Sequence, residues 1–261
     1  MKHVIIGSGC IGQATGIWLS ARNEKVTFFD ISSKPLDKLE KKGYKVSMFP
    51  TKINVRKENP DIIWICTAEW DVEKVIKELH EYNSDKIYII RSTMPVGETE
   101  KIASKYGLVH VAHIPEFLRQ KTAINDIFNQ DRIVIGLKDK KTRKALKELY
   151  KNEQVPVIFT KIKESEMIKY TANCWLAMQI SYWNEIKKFC DKSKINPQLV
   201  ADVATMDKRI SKYGSAMIGE PYSGFCFPKD TKSLIKSFEK KKIKPKLLKA
   251  IVEVNDSLEG K

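Results

Sequence analysis

The sequence has little of what marks several functional classes. No uninterrupted apolar run approaches the length that crosses a bilayer. The first strand-like segment, His3 to Gly7, begins too early to leave room for a secretory signal, so a cytoplasmic location without a membrane partner is expected. Histidine occurs four times, and the five cysteines, at 10, 66, 174, 190 and 226, contain no Cys-x-x-Cys pair. Without zinc-ligand spacing, neither a metal site nor disulfides are expected. Arginine supplies seven of the 47 basic residues, and the lysines are spread along the chain. The formal charge of +15 would suit a polyanion, but no helix-turn-helix, zinc or aromatic-basic pattern accompanies it. A solvated lysine-rich surface is the reading, with no nucleic-acid partner, and Lys240-Lys241-Lys242 with Lys244 and Lys246 marks an exposed connection between helices. Repeats of solenoid period and low-complexity segments are absent as well.

What is present is a 261-residue chain with 42% hydrophobic residues, long enough for one large domain and a smaller one. Short β-rich runs alternate with helical stretches: His3 to Gly7, Lys25 to Asp30, Asp61 to Thr67, Lys86 to Thr93, Leu108 to His113, Arg132 to Leu137 and Val155 to Thr160. Amphipathic stretches such as Asp71 to Tyr82 and Lys140 to Tyr150 are long enough to cross over a sheet. Alternation of this kind predicts parallel βαβ units, an α/β fold with a Rossmann-type doubly wound sheet over residues 1–160. From Lys161 to about Lys192 the chain lacks Gly and Pro, and Met167, Ile168, Trp175, Met178, Trp183 and Ile186 recur at helical spacing. One long central helix therefore opens an all-helical domain over 161–261, followed by a helix from Pro197 to about Asp207, a loop from Gly214 to Pro228, and two helices ending near Ser257. Trp175 and Trp183 are assigned to core or dimer packing.

Gly7, Gly9 and Gly12 form a Gly-x-Gly-x-x-Gly between the first strand and the first helix, with Cys10 and Ile11 inside it. Bare backbone at a helix N-terminus is suited to a pyrophosphate, and Asp30 closes the second strand where a carboxylate accepts from ribose hydroxyls. Asp30 disfavours a 2′-phosphate and Ile31 offers no guanidinium, so NAD is expected rather than NADP. Thr67 and Thr93, at the ends of later strands, complete the expected cofactor contacts. A tight turn without a nucleotide is the rival reading.

Further segments occur in a fixed order: Ser92-Thr93-Met94-Pro95-Val96-Gly97, Pro115-Glu116-Phe117-Leu118-Arg119, Asp131-Arg132-Ile133-Val134-Ile135-Gly136, Lys169 and Asn173, Asn184-Glu185, Asp207-Lys208-Arg209-Ile210, and Cys226-Phe227-Pro228-Lys229-Asp230. This set resembles the UDP-glucose/GDP-mannose dehydrogenase family from Met1 to about Ser257; family members continue into a second Rossmann-like domain that the given sequence does not include. The resemblance implies two NAD-dependent oxidations that carry a nucleotide-sugar primary alcohol to the uronate. It makes Cys226 the nucleophile, through a thiohemiacetal and a thioester. Lys169 and Asn173, at i, i+4 spacing, then stabilise the oxyanion. Asp230 and Thr93 hold water, and Glu116 matches an active-site acid. Phe117 and Leu118 match substrate contacts, and Arg209 matches an arginine that reaches the substrate of a neighbouring subunit in a homodimer. Taken alone, Lys169 and Asn173 would instead read as an exposed lysine-rich face, and a single cysteine as structural.

The chain also departs from the family pattern. Gln120 stands where a glutamate usually acts as general base for thioester hydrolysis, and an amide takes no proton at neutral pH. Bulky Phe225 replaces a small residue before the nucleophile, and Ile114 replaces the usual Asn before Pro115. Three readings follow: a dehydrogenase of a nucleotide sugar or related alcohol, a non-catalytic NAD-binding relic, and a two-electron hydroxyacid-type dehydrogenase with Lys169 as acid/base. The persistence of Cys226, Asp230, Lys169, Asn173 and Thr93 together favours the first.

Overall fold

The computed structural model describes residues 1–82 and 85–259. It divides into two compact units, Met1–Lys169 and Tyr170–Lys261. The first unit contains β1 (Lys2–Ile6), α1 (Cys10–Ser20), β2 (Lys25–Asp30), α2 (Ser33–Glu40), β3 (Lys45–Met48), α3 (Lys52–Glu58), β4 (Ile62–Ile65), α4 (Val72–Leu79) and β5 (Ile87–Ile90). It continues through α5 (Glu98–Lys105), β6 (Val111–His113), α6 (Ala123–Phe128), β7 (Ile133–Leu137), α7 (Lys140–Leu149) and β8 (Val157–Thr160) to the start of α8 (Ile162–Ser193).

One eight-stranded sheet runs in the order β3-β2-β1-β4-β5-β6-β7-β8, with the reversal of strand order beside β1 that defines a doubly wound fold. The central strands read Ile-Ile-Trp-Ile and Ile-Tyr-Ile-Ile, and every one of their residues is buried. Continuous apolar runs of this kind fit strands covered on both faces. Pleating sorts their side chains into two cores. Ile5, Trp64, Ile89 and Ala112 face α1 with Ala14, Trp18 and Leu19, while Val4, Ile6, Ile63, Ile65 and Ile90 face Val72, Ile76, Leu79 and Ile102 of α4 and α5.

Two features depart from the expectation of seven parallel strands. β3 is an eighth strand, a four-residue edge segment without a fully buried residue, so its pattern is too short and too polar to announce itself. β7 pairs with β6 antiparallel, whereas the other six pairings are parallel. The only helix between them, α6, has six residues and rises about 9 Å, too little to carry the chain back to the starting edge of the sheet.

The second unit comprises the rest of α8, then α9 (Pro197–Ala204), α10 (Cys226–Lys240) and α11 (Lys246–Glu259). α9 starts with Asn196 accepting from the amides of Gln198 and Leu199 and with Pro197 in the first turn, and it ends three residues before the expected Asp207. The loop expected to reach Pro228 gives way to α10 at Cys226; Pro228 fits that first turn because its missing N–H would have no partner there. Ala177, Ile180, Tyr222 and Ile251 make the core. Trp183 is buried, whereas Trp175 is 58% exposed and is no core residue. Among the described residues no helix is long and apolar enough to cross a membrane, and no cluster of three His, Cys, Asp or Glu side chains has the arrangement to hold a metal.

Candidate functional site

The glycine turn is fixed by close approach. Gly7 has φ +89°, and a Cβ there would lie 2.8 Å from the Cys66 carbonyl oxygen; at Gly12 it would lie 1.8 Å from the Gly7 carbonyl oxygen. Gly9 is different: it is exposed, and no atom lies within 4 Å of where its Cβ would stand. Backbone at the start of α1 is thus open on that side, with Cys10 and Ile11 half-buried behind it. Asp30 braces the turn by accepting from the Ser8 amide (2.7 Å) through Oδ2, and its Oδ1 accepts from the Ser32 amide (2.9 Å). The sequence thus brings Gly7, Gly9, Gly12 and Asp30 together, and Thr67 with them, since its methyl would be 3.0 Å from a Cβ on Gly7. An open glycine at a helix N-terminus beside a carboxylate on the second strand fits a dinucleotide.

Thr93 sits half-buried in the segment 92–97, which is held at both ends. Ser92 Oγ donates to the Thr67 carbonyl (2.6 Å). The Ser92 carbonyl accepts from His113 Nε2 (3.3 Å), and His113 Nδ1 lies 2.7 Å from Ser165 Oγ, whose hydroxyl donates to the Ile162 carbonyl (2.7 Å). At the other end Glu166, fully buried, accepts from the amides of Gly97 (2.5 Å) and Thr99 (3.0 Å), supplying the cap that Gly97 at φ +90° cannot provide for α5. Burial pushes the Glu166 carboxyl up, against the lowering effect of those two amides. His113, Ser165 and Glu166 carry no local motif in the sequence.

Lys169 and Glu116 form a buried ion pair at 3.0 Å, with side chains 4% and 9% exposed. Glu116 Oε2 also accepts from the Leu118 amide (2.7 Å). The Phe117 ring lies 5.5 Å from Lys169 Nζ and 4.2 Å from the Arg132 guanidinium. The reading of Lys169 as an exposed lysine face is overturned, and Asn173, 7% exposed, overturns it in the second unit as well. Leu118 packs against the core on the α1 face of the sheet. Gln120 is exposed, and its main-chain carbonyl, not its side chain, accepts from Cys10 Sγ (3.3 Å).

In the second unit Asn173 Nδ2 donates to Asp230 Oδ2 at 2.6 Å, and Lys229 Nζ lies 2.6 Å from Oδ1. Cys226, four residues before Asp230, is exposed as the first residue of α10, and Phe225 before it is also exposed. Burial pushes the thiols of Cys66 and Cys174 up to about 12, so both stay protonated. The loop that delivers Cys226 is pinned by two buried asparagines. Asn184 accepts from the Gly219 amide (2.7 Å) and donates to the Glu220 carbonyl (2.8 Å); Asn255 accepts from the Tyr222 amide (2.7 Å). Asn184 belongs to the quoted Asn-Glu pair, and its work as a peptide clamp shows only in three dimensions. Arg209 pairs with Asp207 two residues away, through Nε (3.0 Å) and Nη2 (2.6 Å), at a cleft of about 780 Å³ lined by Trp175, Tyr182, Trp183 and Leu247.

Residues 163–257 match the central domain of the UDP-glucose/GDP-mannose dehydrogenase family, and residues 48–154 match its NAD binding domain. The UDP-glucose 6-dehydrogenase YwqF of Bacillus subtilis is 34% identical over 98% of this chain and 66% of its own length. The UDP-glucose 6-dehydrogenase of Campylobacter jejuni is 32% identical over 98% of this chain and 72% of its own length. The chain thus spans about two thirds of the length of these relatives. A UDP-glucose dehydrogenase from the hyperthermophilic archaeon Pyrobaculum islandicum shares the fold, with a TM-score of 0.85 at 24% identity, covering 98% of this chain and 68% of that one. NAD is accordingly the cofactor, and the glycine turn and Asp30 fit it. Sequence match and geometry lead to one assignment: the chain belongs to the UDP-glucose/GDP-mannose dehydrogenase family.

Proposed function

We propose that this chain is an NAD-dependent oxidoreductase that carries the primary alcohol of a nucleotide sugar toward the uronate through a covalent intermediate on Cys226. The observation that carries the reading is the exposed Cys226 in the first turn of α10, with buried Asp230 one turn on and bound to Asn173. The positive end of a helix favours an anionic thiolate. Bound NAD supplies the hydride acceptor for both oxidations. Cys226 Sγ adds to the carbonyl carbon of the aldehyde, forming a C–S bond and an oxyanion that the Lys169 ammonium and the Asn173 amide stabilise. After that carbon is oxidised to the thioester, water adds to it, the C–S bond breaks, and the thiolate leaves from a carboxylate product. Asp230 and Thr93 hold that water, and Glu116 orients Lys169 through their ion pair. Phe117 and Leu118 contact the substrate, and Gly7, Gly9, Cys10, Ile11, Gly12, Asp30, Thr67 and Thr93 form the NAD site. A homodimer closing on the cleft beside Trp175 and Tyr182 would let Arg209 exchange Asp207 for the partner's substrate.

The test is incubation with NAD and a panel of UDP- and GDP-sugars, followed by NADH absorbance and intact mass. NADH and an acyl adduct lost in Cys226→Ala are expected. NAD binding without NADH or adduct for any sugar would instead favour the non-catalytic reading, for which the specific observation is an exposed Gln120 in place of a base.

A further inference from the structure

The register of the sheet places four residues in one row at its carboxyl edge. Ile6 pairs with Ile65, Ile65 with Ile90, and Ile90 with His113. The amides of Cys66, Arg91 and Ile114 continue that register by donating to the carbonyls of Ile6 (2.8 Å), Ile65 (2.9 Å) and Ile90 (3.0 Å). The next row is therefore Gly7, Cys66, Arg91, Ile114. Its members stand two residues on from Ile5, Trp64, Ile89 and Ala112, so they point to the α1 face of the sheet.

Arg91 in this row is 4% exposed. Its Nε and Nη2 are buried without a hydrogen-bond partner, and among the described residues it has no carboxylate. Its neighbours offer none. Cys66 is a thiol held protonated, Ile114 is apolar, and the Tyr150 hydroxyl is pushed up to about 12 by burial, so it stays neutral. A buried guanidinium without an anion is a costly arrangement for a core, and an arriving counter-charge would offset that cost. Strands are about 4.8 Å apart, so Arg91 stands roughly 10 Å from Gly7, the first glycine of the turn, across Cys66 alone.

We infer that Arg91 is the buried counter-charge of the NAD diphosphate, left unpaired in the protein until the cofactor brings a negative charge to the start of α1. This rests on the glycine turn being the NAD site. It also makes Arg91 a binding residue that acts through the field rather than by contact, so charge matters and hydrogen-bonding shape does not. Unit charges about 10 Å apart across an effective dielectric near 20 attract enough to change affinity about 10- to 20-fold.

The experiment compares Arg91→Met, Arg91→Gln and Arg91→Lys in the full chain, with NAD affinity from calorimetry and thermal unfolding of the cofactor-free protein. Arg91→Met, which keeps volume and removes charge, is expected to bind NAD about tenfold more weakly while unfolding at the same or a higher temperature. Arg91→Lys restores most of the affinity, and Arg91→Gln does not. If Arg91→Gln binds NAD like the unmodified protein, or if Arg91→Met lowers the unfolding temperature and leaves affinity unchanged, internal water satisfies the guanidinium and the inference is overturned. Asp30→Ala separates the two levels of the argument. Unweakened NAD binding in Asp30→Ala would sink the cofactor site itself, whereas weakening there with none in Arg91→Met would sink only the role of Arg91.

Discussion

In the proposed reaction, Gln120 is the residue that departs from the pattern the family resemblance implies. Formation of the thioester needs a thiolate, an oxyanion site and a hydride acceptor, none of which Gln120 provides. Hydrolysis differs, because a proton must leave the attacking water, and an amide cannot accept it. Loss of a general base costs about 10²- to 10⁴-fold in rate, so the Cys226 acyl-enzyme should accumulate during turnover. Intact mass taken before the steady state should show the adduct, and Gln120→Glu should speed its release. Rapid multiple turnover by the unmodified protein with no adduct would mean that another carboxylate serves as base. Glu116 is a poor substitute, because both of its oxygens are engaged, by Lys169 and the Leu118 amide. Asp230 is engaged in the same way, by Asn173 at Oδ2 and Lys229 at Oδ1.

Elements position these residues through partners far away in sequence. Glu166 on α8 caps α5 across 69 residues, and Asn184 holds the loop before Cys226 across 35. Glu166→Ala would leave two amides without acceptors, one of them fully buried, and should destabilise the first unit by about 2–3 kcal/mol. Hydrogen exchange should quicken first at Gly97 and Thr99; unchanged protection there would show that the cap contributes nothing. The same separation explains what the sequence disclosed. β1, β4 and β5 were legible because burial on both faces leaves an unbroken apolar run, and α8 because nothing in 162–193 breaks a helix. Four-residue β3, half-exposed at the sheet edge, has no such run, and the direction of β7 depends on how far α6 travels rather than on the composition of β7. The local motif named the glycine turn, and the family resemblance named Glu116, Lys169, Asn173, Asp230 and Cys226. They did not name Arg91, His113, Glu166 or Asn255, whose significance lies in what stands opposite them.

On the scale of the molecule, the cleft with Trp175, Tyr182 and Leu247 exposed, at 58%, 55% and 62%, predicts self-association. Sedimentation at micromolar concentration should give a dimer that Trp175→Glu converts to a monomer; a monomeric unmodified protein would refute it. A second property of the whole fold is its sensitivity to acid. Trp64 Nε1 donates to His3 Nδ1 (3.0 Å), which leaves Nε2–H to donate to Glu24 (3.2 Å), so His3 is built into the sheet as a neutral ring. His113 is buried between Ser165 and Ser92. Burial pushes His3 down to about 4 and His113 down to about 3, the latter with help from the positive charges of Arg91 and Lys169. In the unfolded chain both return to about 6.5. The unfolded state therefore takes up protons below that value while the native state does not, and stability that is complete above about pH 6.5 is lost as pH falls toward 4. Each histidine contributes a slope of about 1 kcal/mol per pH unit across that window. Urea unfolding from about pH 7 to about pH 5 should show this decline, and His3→Gln with His113→Gln should flatten it even if both lower stability at neutral pH. An unchanged slope in the double variant would assign the acid sensitivity to the carboxylates instead.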